Sequence, residues 1–192
     1  MSLFEDENHV HYFDYDAIAT KMQERLRLHH SIYMTRCKDS YLEENFHRSL
    51  QALGIPSVWT PGNHNVKFDI QISGLAPDIG VKSGTLEHTK NLVSYSGSRL
   101  GSHKTIQDKI SFLEKNKPHF TFFMSEKKNS SSYYFSVLQN SKICYDVKWT
   151  ETNSGYHAKT DGYSLKIQKS MSWQLWSEID LRLLSYIKEI EI

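Results

Sequence analysis

Asp69 and Lys82 are the two residues of this chain whose types and spacing most strongly suggest chemistry. Asp69 lies in one apolar run, 66–72, and Lys82 lies in a second, 78–84, after a turn predicted by the Gly and Pro residues of 73–77. If the two runs are paired strands, the carboxylate and the ammonium converge at one end of a sheet. A carboxylate can bind a divalent cation, which neutralises phosphate charge and lowers the pKa of a water, and a lysine can orient that water. The pair is therefore suited to metal-assisted hydrolysis of a phosphodiester.

Asp78 and Gly80 decide how complete such a site would be. Side chains alternate along a strand, so Asp78, Gly80 and Lys82 share one face while the residues between them face the core. Asp78 is a candidate metal ligand, but an aspartate directly after a proline is also a common turn residue. Gly80 stands where a second carboxylate would complete the site, so Asp78, a backbone carbonyl or a helix glutamate would have to compensate.

Glu43 is the helix glutamate best placed to help. At 100° per residue, the apolar stripe of the predicted helix has Glu43 at its border and Glu44 almost opposite. Glu43 is also the acidic member of a capping box that begins at Ser40, which is a purely structural role. Both interpretations stay open, and we predict Asp69, Asp78 and Glu43 as the metal ligands.

Composition limits the class of protein. A chain of 192 residues with 39% hydrophobic and 12% aromatic content can bury one sizeable core, and no long linker divides it, so we predict one domain over 1–192. The formal charge is +1 with both signs interspersed, so any nucleic-acid surface must be a local cluster. Two distant cysteines predict neither a disulfide framework nor a four-ligand zinc site. With no long apolar run and an acidic N-terminus, we expect a cytoplasmic protein without membrane contact.

Hydrophobic periodicity predicts an alternation of helices and strands. Helical spacing predicts helices over 16–29, 40–53 and 105–117, and a closing helix from 172. Strand patterns predict strands at 57–60, 66–72, 79–83, 92–96, 119–124, 133–138, 143–149 and 163–167. The predicted domain thus has a helical part at 14–54, a catalytic sheet at 57–125 and further strands with a helix at 133–192. This order favours an α/β (α+β) fold with a central mixed β-sheet flanked by helices.

The region 40–113 resembles the PD-(D/E)xK nuclease superfamily and, within it, the type II restriction endonucleases. The resemblance rests on Asp69 in a first strand, on Gly80-Val81-Lys82 in place of (D/E)-x-K in a second strand, and on a glutamate-bearing helix before them. It implies a restriction-endonuclease-like fold and Mg²⁺-dependent cleavage of double-stranded DNA at a specific short sequence. It also implies a homodimer matched to a palindromic site.

Two further segments fit a DNA-binding protein. The segment 94–104 combines Ser, Gly and basic residues directly before a predicted helix, where Arg can contact guanine and hydroxyls or backbone amides can hold phosphates. Gln174 could contact adenine, although a closing helix with its tryptophans in the core is the more ordinary interpretation. The predicted DNA-contacting residues are Ser98, Arg99, His103, Lys104 and Gln174.

Two alternatives belong to other functional classes. Gly80 would mark a decayed site if the chain were a non-catalytic DNA-binding or adaptor module. The chain could instead be a protein-interaction domain whose aromatic segment 133–135 forms the contact surface.

Overall fold

A computed structural model describes residues 2–6, 9–37, 39–61, 68–72, 78–127 and 132–192. The helices are α1 (Tyr15–Ile32), α2 (Asp39–Ala52) and α3 (Ile106–Lys115). The strands are β1 (Ser2–Asp6), β2 (His9–Phe13), β3 (Ser57–Val58), β4 (Ile70–Ile72), β5 (Asp78–Glu87), β6 (Leu92–Arg99), β7 (Phe120–Lys127), β8 (Tyr133–Gln139), β9 (Thr150–Thr152), β10 (Gly155–Lys159), β11 (Tyr163–Gln168), β12 (Gln174–Asp180) and β13 (Tyr186–Ile190).

Eleven of these strands form one mixed sheet. Its main path runs β13-β8-β7-β5-β6-β12-β11-β10-β9, with β4 pairing β5 and β3 pairing β4, while β1 and β2 form a separate hairpin. β5 and β7 are parallel, because the chain crosses between them through β6 and α3, and the other described pairs are antiparallel. The prediction of a central mixed sheet flanked by helices is confirmed.

The sheet opens beside the middle of β5. β7 accompanies one edge of β5 from Ile79 to Leu86. On the other edge, β4 pairs with Asp78 and Ile79, and β6 pairs only from Gly84 onward. Within the described pairings, residues 80–83 have no strand on that edge, and we call this opening between β4 and β6 the fork. A fork exposes backbone groups that a continuous ladder would pair, so polar side chains are needed there.

Each face of the sheet carries its own core. On one face α1 and α2 cover β4, β5, β7, β8 and β13, and we call this packing the α1/α2 core; its buried residues include Phe13, Leu26, Phe46, Ile79, Phe122 and Phe135. On the other face α3 and the segment 143–149 cover the middle strands, and we call this packing the α3 core; its buried residues include Tyr95, Ile110, Leu113, Tyr145, Leu175 and Ile179. Alternation along β5 and β7 sends neighbouring side chains to different cores.

The predicted helices α1, α2 and α3 are confirmed, and local capping explains two of their starts. The Asp14 carboxylate accepts a hydrogen bond from Ala17 N at 3.0 Å, so Asp14 is the N-cap of α1. Thr105 and Asp108 form a reciprocal capping box at α3, with both hydrogen bonds at 3.1 Å. α2 begins at Asp39, which places Ser40 inside its first turn.

The predicted closing helix is wrong. Residues 174–180 and 186–190 are the strands β12 and β13, and β12 lies between β6 and β11. Leu175 and Ile179 point into the α3 core, as alternation along a strand requires. The apolar spacing also fitted a helix, but the open edges of β6 and β8 supplied hydrogen-bond partners that no sequence period records.

Other strand predictions had mixed outcomes. The predicted strands at 119–124 and 133–138 are confirmed, and they pair as the hairpin of β7 and β8. The predicted strands near 79–83, 92–96 and 163–167 are also confirmed. The predicted strand at 143–149 is wrong, because that segment is a series of bends packed on the α3 core. Part of the predicted strand at 66–72 and the turn at 73–77 lie outside the described residues.

The aromatic segment 133–135 does not form a surface. Tyr133, Tyr134 and Phe135 are 5%, 6% and 1% exposed, because β8 lies inside the sheet between β7 and β13. The hypothesis of a protein-interaction domain built on these rings is therefore wrong. Among the described helices, none is both long enough and apolar enough to cross a membrane.

Candidate active site at the fork of the sheet

Asp69 and Lys82 meet at the fork. Lys82 Nζ lies 2.9 Å from Asp69 Oδ2, and the two side chains are 35% and 18% exposed. Asp69 is held in place because its backbone N donates to Ile79 O at 2.9 Å, which extends the pairing of β4 with β5 by one residue. The predicted convergence of the two residues is confirmed.

The Asp69 carboxylate also completes the backbone of β5. Val81 N donates to Asp69 Oδ2 at 2.7 Å, at the position where a neighbouring strand would otherwise supply a carbonyl. One oxygen atom thus accepts from an ammonium and from an amide. Removing the side chain would leave a partly buried N–H unpaired, whereas an asparagine could still accept from it.

A cleft of about 600 Å³ opens above this pair. Its polar lining includes Asp69, Lys82, Arg99, Lys117, Thr121 and Asn140. Among the described residues that line it, Asp69 is the one carboxylate, against the three cations of Lys82, Arg99 and Lys117. Glu114 lies outside the lining but pairs with Lys117, so these three cations and two carboxylates have a formal net charge of +1, which favours an anionic ligand such as a phosphodiester.

Lys117 is fixed in the wall of the cleft by its own partners. Its Nζ donates to Glu114 Oε2 at 2.9 Å and to Ile143 O at 2.8 Å. Burial alone would raise the pKa of Glu114, but hydrogen bonds from Lys117 and from Tyr145 N, with the charge of Lys117, hold it below its usual value. Glu114 is therefore ionised at neutral pH and anchors Lys117 beside the cleft.

Gly80 leaves a niche next to Asp69. A Cβ added there would lie 3.3 Å from Pro118 Cγ, 3.5 Å from Thr121 Oγ1 and 3.7 Å from the carbonyl oxygen of Phe120. Thr121 is the neighbour of Gly80 on β7 and lines the same cleft. The place of the missing Cβ is thus closely bounded by a proline ring, a hydroxyl and a carbonyl, and Gly80 itself lines the cleft.

Asp78 lies away from the cleft. Its side chain is 5% exposed, and its Oδ2 is 3.9 Å from Nδ1 of His119. The backbone N of Asp78 donates to the same Nδ1 at 3.1 Å. Asp78 is not among the described residues that line the cleft, and its role as a metal ligand stays a prediction.

Glu43 also lies elsewhere. α2 packs on the α1/α2 core, whereas Lys82 and Gly80 face the opposite side of the sheet. Glu43 Oε2 accepts a hydrogen bond from Trp59 Nε1 at 3.1 Å, which ties α2 to the chain after β3. The structure therefore brings together Asp69 and Lys82, and the role of Glu43 as a metal ligand stays a prediction.

The predicted DNA-contacting residues lie along one surface. Ser98 and Arg99 line the cleft, while His103 and Lys104 line a neighbouring cavity of about 610 Å³ over α3. The two cavities share Phe112 and Asn116, so they adjoin. Together they form a groove from the fork to the start of α3.

Gln174 lies beside Arg99 although the predicted helix around it is absent. The two residues are partners in the pairing of β12 with β6. Gln174 Nε2 donates to Gly97 O at 3.4 Å, a long hydrogen bond that can be exchanged. Two segments that the sequence marked separately therefore lie side by side where β6 ends and β12 begins.

Lys109, a buried lysine that the sequence did not indicate, packs beside these strand ends. Lys109 of α3 is 1% exposed, donates to the carbonyl oxygen of His103 and lies 4.7 Å from the centre of the Trp173 ring. Burial lowers its pKa. Ser172 and Trp173 both have positive φ, 54° and 59°, a backbone conformation that is costly for residues with a Cβ. Lys109 thus links the 99–104 loop to the strained turn before Gln174.

The residues of the cleft could bind Mg²⁺ through one carboxylate, with waters and substrate phosphates as the other ligands. No group of three or more His, Cys, Asp or Glu side chains that could hold a metal ion is found among the described residues. Mg²⁺ nevertheless keeps several waters and commonly binds through one or two carboxylates together with substrate phosphates. Asp69, in a cleft that Thr121 also lines, suits that mode of binding.

Comparisons of the chain with protein-family models, curated proteins and solved structures find no match. Its function is therefore inferred from the chemistry of the fork and the cleft.

Proposed function

We propose that this protein is a Mg²⁺-dependent endonuclease that hydrolyses phosphodiesters of double-stranded DNA, with a restriction-endonuclease-like fold. The observation that carries the proposal is the 2.9 Å contact of Asp69 with Lys82 in a cleft with excess positive charge. The order of elements along the chain also supports the proposal. The helix α2, which carries Glu43, comes first, then Asp69 with β4, and then β5 with Lys82.

Asp69, Lys82 and Arg99 would have different roles in the reaction. Asp69 is the residue that would hold Mg²⁺, and the ion would neutralise phosphate charge and lower the pKa of a water. Lys82 would orient the attacking water or stabilise charge in the transition state. Arg99 is exposed at the mouth of the cleft and would hold a phosphate or contact a base.

The proposal is tested by incubating the protein with large unmethylated phage DNA, with Mg²⁺ or with a chelator. We expect discrete fragments that require Mg²⁺ and share a common end sequence. Asp69→Asn should abolish cleavage while leaving DNA binding and the hydrogen bond from Val81 in place. The matched control is Asp161→Asn, because the Asp161 side chain is 99% exposed and lies outside the cleft. Cleavage by Asp69→Asn at the wild-type rate would contradict the proposed role.

Recognition of a short palindromic sequence by a homodimer is part of the same proposal. The common end sequence would identify the site, and analytical ultracentrifugation with a duplex would give the number of subunits bound. Since a restriction enzyme acts on DNA inside the cell, we propose a cytoplasmic location.

A DNA-binding module without cleavage is the second candidate. The observation that favours it is that Asp69 is the one carboxylate among the described residues of the cleft. This function predicts intact DNA under all metal conditions, together with DNA affinity that falls steeply as salt rises. The same incubation, followed by a binding assay at two salt concentrations, separates the two candidates.

A further inference from the structure

The niche beside Gly80 is bounded by a polar pair that no motif predicts. Asn140 Nδ2 donates to Thr121 Oγ1 at 2.8 Å and to Pro118 O at 3.0 Å. Thr121 and Asn140 are 5% and 3% exposed, yet both line the cleft. Buried polar groups are costly unless they are paired, so this pair is held in one geometry.

Thr121 can accept one more hydrogen bond. A threonine hydroxyl has two acceptor lone pairs, and Asn140 uses one of them. The hydroxyl oxygen lies 3.5 Å from the place of a Cβ at Gly80, which is the region that a carboxylate at position 80 would occupy. A water in that region can therefore donate to Thr121.

Asp69 and Thr121 flank this region from two strands. Asp69 lies on the β4 side of β5, and Thr121 is the partner of Gly80 on the β7 side. The two residues lie on opposite sides of β5 and are therefore separated by two strand spacings of about 4.8 Å each, so a contact through one ion requires a mediating water. Mg²⁺ retains waters readily, which makes a mediated contact chemically ordinary.

We propose that Thr121, held by Asn140, is the second contact of a divalent-cation site centred on Asp69 and acts through a cation-bound water in the space that Gly80 leaves. Thr121 is a positioning residue in this arrangement. The inference deepens the proposed function, and its use in catalysis rests on that function. A neutral hydroxyl replaces a carboxylate here, so the site has one negative charge fewer and should bind the cation more tightly once a DNA phosphate adds its charge.

Mn²⁺ is the probe for this site, with bound ion counted by electron paramagnetic resonance on the protein alone and with a phosphorothioate duplex. Thr121→Val removes the hydroxyl at nearly constant volume and should weaken Mn²⁺ binding about 10-fold, as is typical when a residue behind a metal ligand is changed. Thr121→Ser keeps the hydroxyl and is the matched control, with Mn²⁺ affinity close to wild type. Thermal unfolding of each variant shows whether it is folded.

Gly80→Asp supplies an independent second measurement. The added Cβ would lie 3.3 Å from Pro118 Cγ, so the proline ring must shift slightly, and thermal unfolding of this variant shows whether it is folded. The new carboxylate should tighten Mn²⁺ binding about 10-fold, because added ligand charge strengthens hard-cation sites. In this background Thr121→Val should cost much less than it does alone, because both groups act on the same space.

The outcomes separate this inference from the proposed nuclease activity. Equal Mn²⁺ affinity of Thr121→Val and wild type overturns the inference, and so does a wild-type protein that binds no Mn²⁺ with or without the duplex. DNA cleavage could persist in either case. Conversely, Mn²⁺ binding that depends on Thr121 in a protein that never cleaves DNA would support the inference and contradict the nuclease proposal.

Discussion

The α1/α2 core and the α3 core lie on opposite faces of the same strands and bury different chemistry. In the α1/α2 core, the Phe122 ring lies 4.7 Å from that of Phe46 and 5.9 Å from that of Phe135, between ring centres. On the α3 side, Lys109 and Asn140 are buried, and the cleft opens among polar groups. The face with the packed aromatic rings therefore mainly stabilises the sheet, while the other face holds the polar groups of the cleft in place at some cost in stability.

The largest loss of stability is expected when the central ring of the α1/α2 core is removed. Phe122→Ala should lower the free energy of unfolding by about 3–5 kcal/mol, because it leaves a cavity in close-packed aromatic surroundings. Urea unfolding followed by circular dichroism measures the loss. Phe122→Leu is the control and should cost less. A stable Phe122→Ala protein that had lost DNA binding would mean that this face is not mainly structural.

At the fork, a substitution should reduce activity and leave stability nearly unchanged. Lys82→Met removes the ammonium but keeps the length of the side chain, and the 2.9 Å ion pair with Asp69 is lost. If the chain is a nuclease, cleavage should slow by about 100- to 1,000-fold, as for other groups that stabilise transition-state charge. Single-turnover cleavage rates measure the effect. Lys90→Met, at an exposed lysine paired with Glu87 outside the cleft, should change nothing, and a large loss of stability in Lys82→Met would assign Lys82 a structural role.

A change at Arg99 should affect DNA binding and leave the stability of the fold unchanged. Arg99→Ala should weaken duplex binding by about 1–3 kcal/mol if the side chain contacts a base, or more modestly and with a smaller salt dependence if it contacts a phosphate. Fluorescence anisotropy at several salt concentrations distinguishes the two contacts. Unchanged DNA affinity would remove Arg99 from the interface. Arg182→Ala is the control, because Arg182 is an exposed arginine outside the cleft.

The smallest expected effect concerns acid stability on the α3 side. The pKa of Glu114 is lowered in the folded protein, so its contribution to stability is present above the unfolded pKa, about 4.3, and is lost as pH falls through the folded pKa. Glu114→Gln should therefore reduce stability at neutral pH and show a shallower loss on acidification. Thermal unfolding between neutral pH and pH 3 measures both slopes, and parallel curves for the variant and wild type would exclude this contribution.

Local signals predicted most of the first two thirds of the fold. The apolar stripes of α1, α2 and α3 depend on neighbouring residues, so a single sequence was enough to predict these helices. The hairpin of β7 and β8 was found for the same reason. The final strands were missed because an apolar residue every third or fourth position fits a helix as well as two strands separated by a turn.

The sequence predicted that Asp69 and Lys82 meet, because it placed them in two consecutive strands. The observed register of β4 with β5 keeps both side chains on one face. The tertiary structure decided the rest of the site. It bonded Glu43 to Trp59 and Asp78 to His119, and it brought Thr121 and Asn140 together beside Gly80. The physical reason is that these positions depend on the parallel crossover from β5 to β7 and on the fork between β4 and β6. Both arise from contacts between distant segments, which no local pattern of residues encodes.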